Sequence, residues 1–243
     1  MNAWWAQTRA EVRMNIRRGE TLLLTLGIPV GLLVFFSLIK VTTVPGSSRV
    51  NFLAPGILAL CVLSTSLVAL SISTGFERSY GVLRRLHVTP LGQRRLIAAK
   101  IASVLVTEAI QVVVLSLVAL ALGWRPVGGW VAGVVVTAAL VLGSAGCAGI
   151  GLLLAGRLRA EVNLAAANGL YLILLMLSGI VIPLSSLPAV LRSVVLWTPS
   201  GAMADVVHQV LGNGTTPGTK DWIALTLWAV LAPLLASRTF TFD

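Results

Sequence analysis

The feature that most constrains this chain is a series of long segments without charged residues. Six of them recur, the third interrupted only by Glu108: 21–39, 52–76, 101–122, 130–156, 162–182 and 222–237. A helix needs about 20 apolar residues to cross the hydrocarbon core of a bilayer, and it satisfies its own backbone polar groups there. With 57% hydrophobic and 11% charged residues, the chain also has too few charges to cover a water-soluble domain. The sequence therefore predicts an all-α membrane protein with six transmembrane helices.

The segments between the apolar stretches complete one membrane domain over residues 1–243. We expect an N-terminal interfacial helix, a coupling loop between the second and third spans, and short re-entrant helices between the fifth and sixth. The predicted bounds are 3–19 (interfacial helix), 21–39, 52–76, 77–95 (coupling loop), 98–122, 130–156, 162–182, 183–212 (short outer helices) and 222–237. The apolar pieces of 183–212 are too short to span, which favours re-entrant or interfacial helices.

The net charge of +10 is distributed unevenly across the predicted membrane. If the N-terminus is cytoplasmic, 13 of the 18 Lys and Arg residues lie on the inner side, as the positive-inside rule requires. Both termini are then cytoplasmic. A cationic inner face next to anionic lipid explains the charge, so we expect a membrane partner and no nucleic acid.

Residues 3–19 have an amphipathic pattern. Trp5 falls on one helical face with other apolar residues, while basic residues recur every four positions on another face: Arg9, Arg13 and Arg17. This arrangement is typical of a helix that lies in the membrane interface.

Motifs that would carry enzyme chemistry are missing from the sequence. None of the three lysines lies in a Walker A loop, and the two histidines, His87 and His208, are predicted on opposite faces. No spacing of His, Cys, Asp or Glu is typical of a metal cluster. We therefore predict no catalytic residue, no metal site and no cofactor in this chain.

Three polar residues within the spans are candidates for a substrate path. Glu108 is the one ionisable side chain inside a span, and membrane carboxylates usually face a cavity or a partner. It belongs either to a translocation path or proton site, or to a hydrogen-bonded link between helices that includes Gln111. Asn168 and Tyr171 on the fifth span leave the same two alternatives open.

The loop ERSYGVLRRLHVTPLGQRR, residues 77–95, predicts a short amphipathic helix. Gly81 permits a turn before this helix and Pro90 ends it. An apolar patch is bordered by basic residues: Val82, Leu83 and Leu86 beside Arg84, Arg85 and Arg94. A cationic helix of this kind could insert into a groove of a soluble partner, and binding of lipid headgroups is the alternative.

This loop resembles that of the membrane subunits of type-2 ABC exporters, which reads roughly E-x-x-x-G-[TV]-L-R-R-L-x-x-T-P-L followed by basic residues and a lysine. The matching residues are Glu77, Gly81, Val82, Leu83, Arg84, Arg85, Leu86, Thr89, Pro90, Leu91, Arg94, Arg95 and Lys100. The loop is most similar to that of the drug-exporter branch, which includes daunorubicin-resistance-type permeases.

The resemblance implies an export permease of the bacterial cytoplasmic membrane, with ATP and Mg bound by a separate ABC ATPase. Two ATPase copies and a second permease, identical or paralogous, would complete the complex. The substrate would be amphipathic or hydrophobic, such as a drug, a lipid or a secondary metabolite, and multidrug resistance is a possible outcome. The residues expected to couple to the ATPase are Glu77, Arg78, Gly81, Leu83, Arg84, Arg85, Leu86 and Pro90. A proton-coupled secondary transporter using Glu108 and a non-transporting membrane scaffold remain as alternatives.

Overall fold

The computed structural model describes residues 3–17, 19–38, 49–87, 92–179 and 188–240. Every regular element in these ranges is helical. In chain order the α-helices are α1 (Ala3–Arg17), α2 (Gly19–Leu38), α3 (Arg49–Leu63), α4 (Leu70–Ser79), α5 (Val82–His87), α6 (Gln93–Ala121), α7 (Gly129–Arg157), α8 (Ala160–Leu177), α9 (Ala189–Leu196), α10 (Pro199–His208) and α11 (Thr219–Thr239). The prediction of an all-α protein is confirmed for this part of the chain.

Five helices among the described residues are long and apolar enough to cross a membrane. They are Val50–Ser79, Gln93–Ala121, Gly129–Arg157, Ala160–Leu177 and Thr219–Thr239. The first predicted span corresponds to α2, in which the described apolar stretch, Thr25–Leu38, is shorter than those five. The chain is thus a multi-pass membrane protein, and the sixth span stays a prediction.

The second predicted span is one continuous helical rod with an irregular turn at its middle. α3 and α4 are joined by a π-helical turn, Ser64–Ala69. Such a turn holds one residue more than an α-helical turn and is frequently found at functional sites. The rod continues to Ser79, so Glu77 lies in its last turns and not in the connecting loop.

α7 is the central helix of the bundle and packs against α4, α10 and α11. Its glycines permit the close approach, because a Cβ on Gly149 would lie 2.5 Å from the backbone nitrogen of Pro233 in α11. A Cβ on Gly143 would lie 2.5 Å from Sδ of Met203 in α10. Gly143 and Gly149 therefore serve helix packing within the chain.

The two short helices between the fifth and sixth predicted spans differ in burial. Most side chains of α9 are exposed, whereas α10 is almost wholly buried and packs on α3, α7 and α11. Thr198 caps α10 by accepting a hydrogen bond from the backbone N–H of Gly201 at 3.1 Å, and Pro199 fills the first helical position. Re-entry of these helices into the membrane stays a prediction.

A second apolar cluster lies where α5 meets the bundle. Leu83 of α5 is fully buried among residues of α4, α6, α7 and α11, including Leu96 and Leu152. The amide of Gln93 donates a hydrogen bond to the carbonyl of Phe240 at 3.0 Å and joins the start of α6 to the end of α11. We call this region, which carries α1, α5 and the α7–α8 turn, the basic end of the bundle.

Replacing Gly149 with Ala should destabilise the bundle. The new Cβ would meet backbone atoms of α11 at 2.5–2.6 Å, and backbone atoms cannot move aside without separating the two helices. Overpacking of this kind costs about 1–3 kcal/mol. Gly133→Ala on the same helix is the matched control, because nothing lies within 4 Å of its Cβ position. Thermal unfolding in detergent should show a lower midpoint for Gly149→Ala only; equal midpoints would contradict the packing.

Candidate functional site

A buried lysine joins three helices at the basic end. Lys100 lies two turns into α6 and is only 2% exposed. Its Nζ lies 2.6 Å from Oε2 of Glu77 and 3.3 Å from Oε1 of Glu11. One ammonium group therefore binds two carboxylates, which come from α4 and α1. We call these residues the Lys100–Glu77–Glu11 triad.

The N-terminal helix contributes to the triad through a polar face. Thr8 and Glu11 of α1 are buried, whereas Trp5 is 60% exposed and Arg9 and Arg13 are also exposed. Residues three apart lie on one side of a helix, so Thr8 and Glu11 turn together toward α6. The Nε2 group of Gln7 donates a hydrogen bond to Oε1 of Glu11 at 2.9 Å and steadies this carboxylate.

The sequence signal for Glu11 was available but ambiguous. Glu11 is an isolated acid in a helix whose other charges are arginines, and Lys100 is an isolated base next to an apolar span. Each could be solvated at a membrane surface. The pairing between residues 89 positions apart is visible only once α1 packs on α6.

The structure divides the predicted coupling residues into two groups. In the first group the side chains make contacts within this chain. Glu77 belongs to the triad and Leu83 to the apolar cluster. Nη1 of Arg78 donates hydrogen bonds to the carbonyls of Ala155 at 3.2 Å and Leu158 at 3.3 Å. Arg84 and Arg85 are exposed on α5, and Gly81 makes the turn before it with a φ of +72°. The side chains of Leu86 and Arg17 and the whole of Pro90 lie outside the described residues.

A groove lies between α2, the α3–α4 rod and α8. Its volume is about 230 Å³ and its lining is mostly apolar. Asn168 and Tyr171 of α8 line it together with Pro29 of α2 and residues of the π-helical turn, among them Ser64 and Val68. We call it the π-turn groove. The structure thus brings together two of the three predicted substrate-path residues.

Glu108 is not among the described residues that line this groove. It is 4% exposed and lies inside the bundle. One turn on, Gln111 accepts a hydrogen bond from the hydroxyl of Thr65 at 3.0 Å, which ties α6 to the π-helical turn. In the described part of the chain, Oε1 of Glu108 and Nε2 of Gln111 have no hydrogen-bond partner.

In the part of the chain that the structure describes, a helical bundle with several membrane-length helices is the architecture of a multi-pass membrane protein. The family model described as ABC-2 type transporter matches residues 2–211. The chain therefore belongs to the ABC-2 type transporter family, whose members are transmembrane permease subunits that work with an ABC ATPase. The family assignment confirms the resemblance to ABC-2 permeases that the loop sequence indicated.

A relative of similar length supports the same assignment. The chain is 22% identical over 246 residues to the Bacillus subtilis (strain 168) protein named "Putative transport permease YvfS". The match covers 97% of this chain and 96% of the relative, so the two proteins correspond along almost their whole length.

Replacing Lys100 with Met should destabilise the protein strongly, because it leaves the buried carboxylate of Glu11 and the partly buried carboxylate of Glu77 without their cation. Removing one partner of a buried ion pair costs about 3–5 kcal/mol. Arg94→Met, an exposed position on the same helix, is the matched control and should change stability little. Unfolding in detergent monitored by intrinsic Trp fluorescence would measure both. A melting midpoint for Lys100→Met equal to that of the control would show that the triad adds nothing to stability.

Proposed function

We propose that this chain is the permease of an ATP-driven exporter in a bacterial cytoplasmic membrane, with its basic end and both termini facing the cytoplasm. The observation that carries the proposal is the triad, since Lys100 fixes α1, α4 and α6 to one another at the end that carries α5. Permeases of this family work with an ABC ATPase, and the exposed face of α5 with Arg84 and Arg85 is suited to bind it.

Movement of α5 has a direct route into the bundle. A two-residue turn, Tyr80 and Gly81, joins α5 to α4, and Leu83 holds α5 in the apolar cluster. A force applied to α5 by ATP-driven closure of the ATPase therefore acts on the end of the α3–α4 rod. Glu77 at this end passes the displacement to Lys100 of α6, which in turn binds Glu11 of α1.

The same rod forms a wall of the π-turn groove. Ser64, Val68 and Ala69 belong to the π-helical turn, and Glu77 lies about two turns further along the same helix. A shift of the rod at Glu77 therefore changes the shape of the groove. We assign the groove to an amphipathic or hydrophobic substrate such as a drug, a lipid or a secondary metabolite, because its lining is mostly apolar with Asn168 and Tyr171 as polar contacts.

The complete exporter in this proposal contains two permeases, identical or paralogous, and two ATPase subunits that hold ATP and Mg. ATP can drive transport only if the ATPase contacts differ between two permease states. The substrate would be held between the permeases in one state and released outward in the other.

A proton-coupled secondary transporter is the second candidate function. The buried, incompletely bonded Glu108 favours it, because intramembrane carboxylates often serve as proton sites. In contrast, the position of Glu108 apart from the π-turn groove favours a structural role, in which Glu108 links α6 to the core of the bundle. The two candidates differ in their need for an ATPase and in the effect of neutralising Glu108.

Reversing the charge of Arg85 should weaken binding of the ATPase. We expect Arg85→Glu to lower co-purification of a co-expressed ABC ATPase partner by about tenfold or more, as for loss of a charge-assisted contact. Arg125→Glu, exposed at the opposite end of the bundle, is the matched control and should leave co-purification unchanged. Full ATPase recovery and full ATP-dependent transport with Arg85→Glu would refute docking through α5.

Filling the π-turn groove should block transport. Asn168→Trp places a large ring in a space of about 230 Å³, while the matched change Leu172→Trp lies one turn along α8 at an exposed position outside the groove lining. Uptake into inverted vesicles should fall sharply for Asn168→Trp only.

Glu108→Gln should retain ATP-driven uptake with an unchanged pH dependence. Uptake that instead needs a proton gradient and Glu108 would establish the secondary transporter.

A further inference from the structure

A cleft of about 480 Å³ opens at the basic end, apart from both the triad and the π-turn groove. One wall is the turn between α4 and α5, and the other is the turn between α7 and α8. Three arginines line it, Arg78, Arg84 and Arg159, against one acid, Glu161. We call it the arginine cleft. Its lining therefore carries a net charge of +2 in a space large enough for a small polar group.

The two walls of the cleft are held at a fixed separation. Nη1 of Arg78, on the α4 wall, donates hydrogen bonds to the carbonyls of Ala155 and Leu158 on the α7 wall at 3.2 and 3.3 Å. Arg78 thus has a structural part, and the exposed Arg84 and Arg159 bring positive charge from the two sides. The cleft is a built feature of the fold and not a chance gap between mobile side chains.

The charge and shape of the cleft fit a phosphate-bearing anion. An arginine guanidinium matches the oxygens of a phosphate with paired, charge-assisted hydrogen bonds. α8 begins at Ala160 inside the cleft without a side-chain cap, so the backbone N–H groups of its first turn add to the positive potential there. Glu161 partly offsets this potential.

The surface beside the cleft distinguishes a lipid from a soluble anion. Immediately after Glu161, α8 exposes apolar side chains, with Val162 52% and Leu164 40% exposed. An occupant with a phosphate group and acyl chains fits both surfaces at once, since α8 is one of the membrane-length helices. A soluble acidic segment would match the charge of the cleft but not the apolar surface beside it.

We propose that the arginine cleft binds the phosphate headgroup of an anionic phospholipid, with the acyl chains lying along the first turns of α8. The site shares Arg84 with the proposed ATPase-binding face of α5 but does not include Arg85, so Arg159 on the opposite wall of the cleft is the residue that tests it. Anionic lipid bound there would connect the α4–α5 turn to the α7–α8 turn and so stiffen the region through which α5 acts on the bundle.

The test compares two arginines that lie two residues apart. Arg159 lines the cleft, while Arg157 is exposed at the end of α7 and is not among the described lining residues. The full-length chain would be reconstituted in nanodiscs of phosphatidylcholine that contain trace spin-labelled phosphatidylglycerol or spin-labelled phosphatidylcholine. Electron paramagnetic resonance then gives the immobilised fraction of each lipid, and hence the selectivity of the protein for the anionic one.

We expect the wild-type protein to select phosphatidylglycerol, and Arg159→Gln to lower this selectivity by about tenfold, as for loss of one hydrogen bond to a charged group. Arg157→Gln should keep the wild-type selectivity. An equal loss in both variants would show diffuse attraction to the basic surface and would overturn the proposal. Both positions are exposed, and equal melting midpoints of the two variants would exclude misfolding as a cause.

Two further measurements distinguish the other occupants. If inorganic phosphate abolished the selectivity at millimolar concentration and bound the lipid-free protein through Arg159, the ligand would be free phosphate and the assignment to lipid would be wrong. If Arg159→Gln reduced co-purification of the ATPase and left lipid selectivity intact, the cleft would bind an acidic protein segment. Retained lipid selectivity in the presence of both inorganic phosphate and the ATPase supports the proposal.

Discussion

The rest of the basic end depends on the burial of one ammonium group. Lys100 is nearly inaccessible, so the cost of removing its charge from water must be offset by Glu77 and Glu11. The three residues belong to α6, α4 and α1, and separating any of these helices would leave a charge without a partner in a poorly hydrated place. The helices are therefore expected to move as a unit, which gives α1 a mechanical part beyond association with the membrane surface.

The α3–α4 rod relates this unit to the interior of the bundle. Its π-helical turn includes Thr65, whose hydroxyl donates a hydrogen bond to Gln111 on α6, and Ser64, which lines the groove beside α8. Beyond the turn, the hydroxyl of Ser71 donates to Asn163 of α8 at 2.8 Å, and Nδ2 of Asn163 donates to the carbonyl of Ser71 at 2.8 Å. A displacement at Glu77 must strain or break these contacts, so the groove and the triad are expected to respond together.

Much of the fold could be predicted from sequence because membrane burial leaves a coarse signal. Five of the uncharged stretches correspond to membrane-length helices in the structure, and the sequence of the loop was sufficient to indicate the family. Local geometry left weaker signals. Ser64–Ala69 reads as ordinary helix although it forms a π-helical turn, and Glu77 reads as part of a loop although α4 continues through it. The partner of Lys100 on α1 could not be predicted, because a pairing between residues 89 positions apart depends on how the helices pack.

The basic residues at the basic end show why charge counts alone cannot assign function. The positive-inside rule accounts for their number but treats them as equivalent. In the structure Arg78 donates a hydrogen bond to a carbonyl near the end of α7, and Lys100 is paired with carboxylates inside the bundle. Arg159 lines the arginine cleft, whereas Arg85 is exposed on α5 outside the cleft lining. Arg84 and Arg85 are neighbours in the motif, yet only Arg84 lines the cleft. The proposed sites for lipid and for the ATPase therefore overlap at Arg84, and they differ at Arg159 and Arg85.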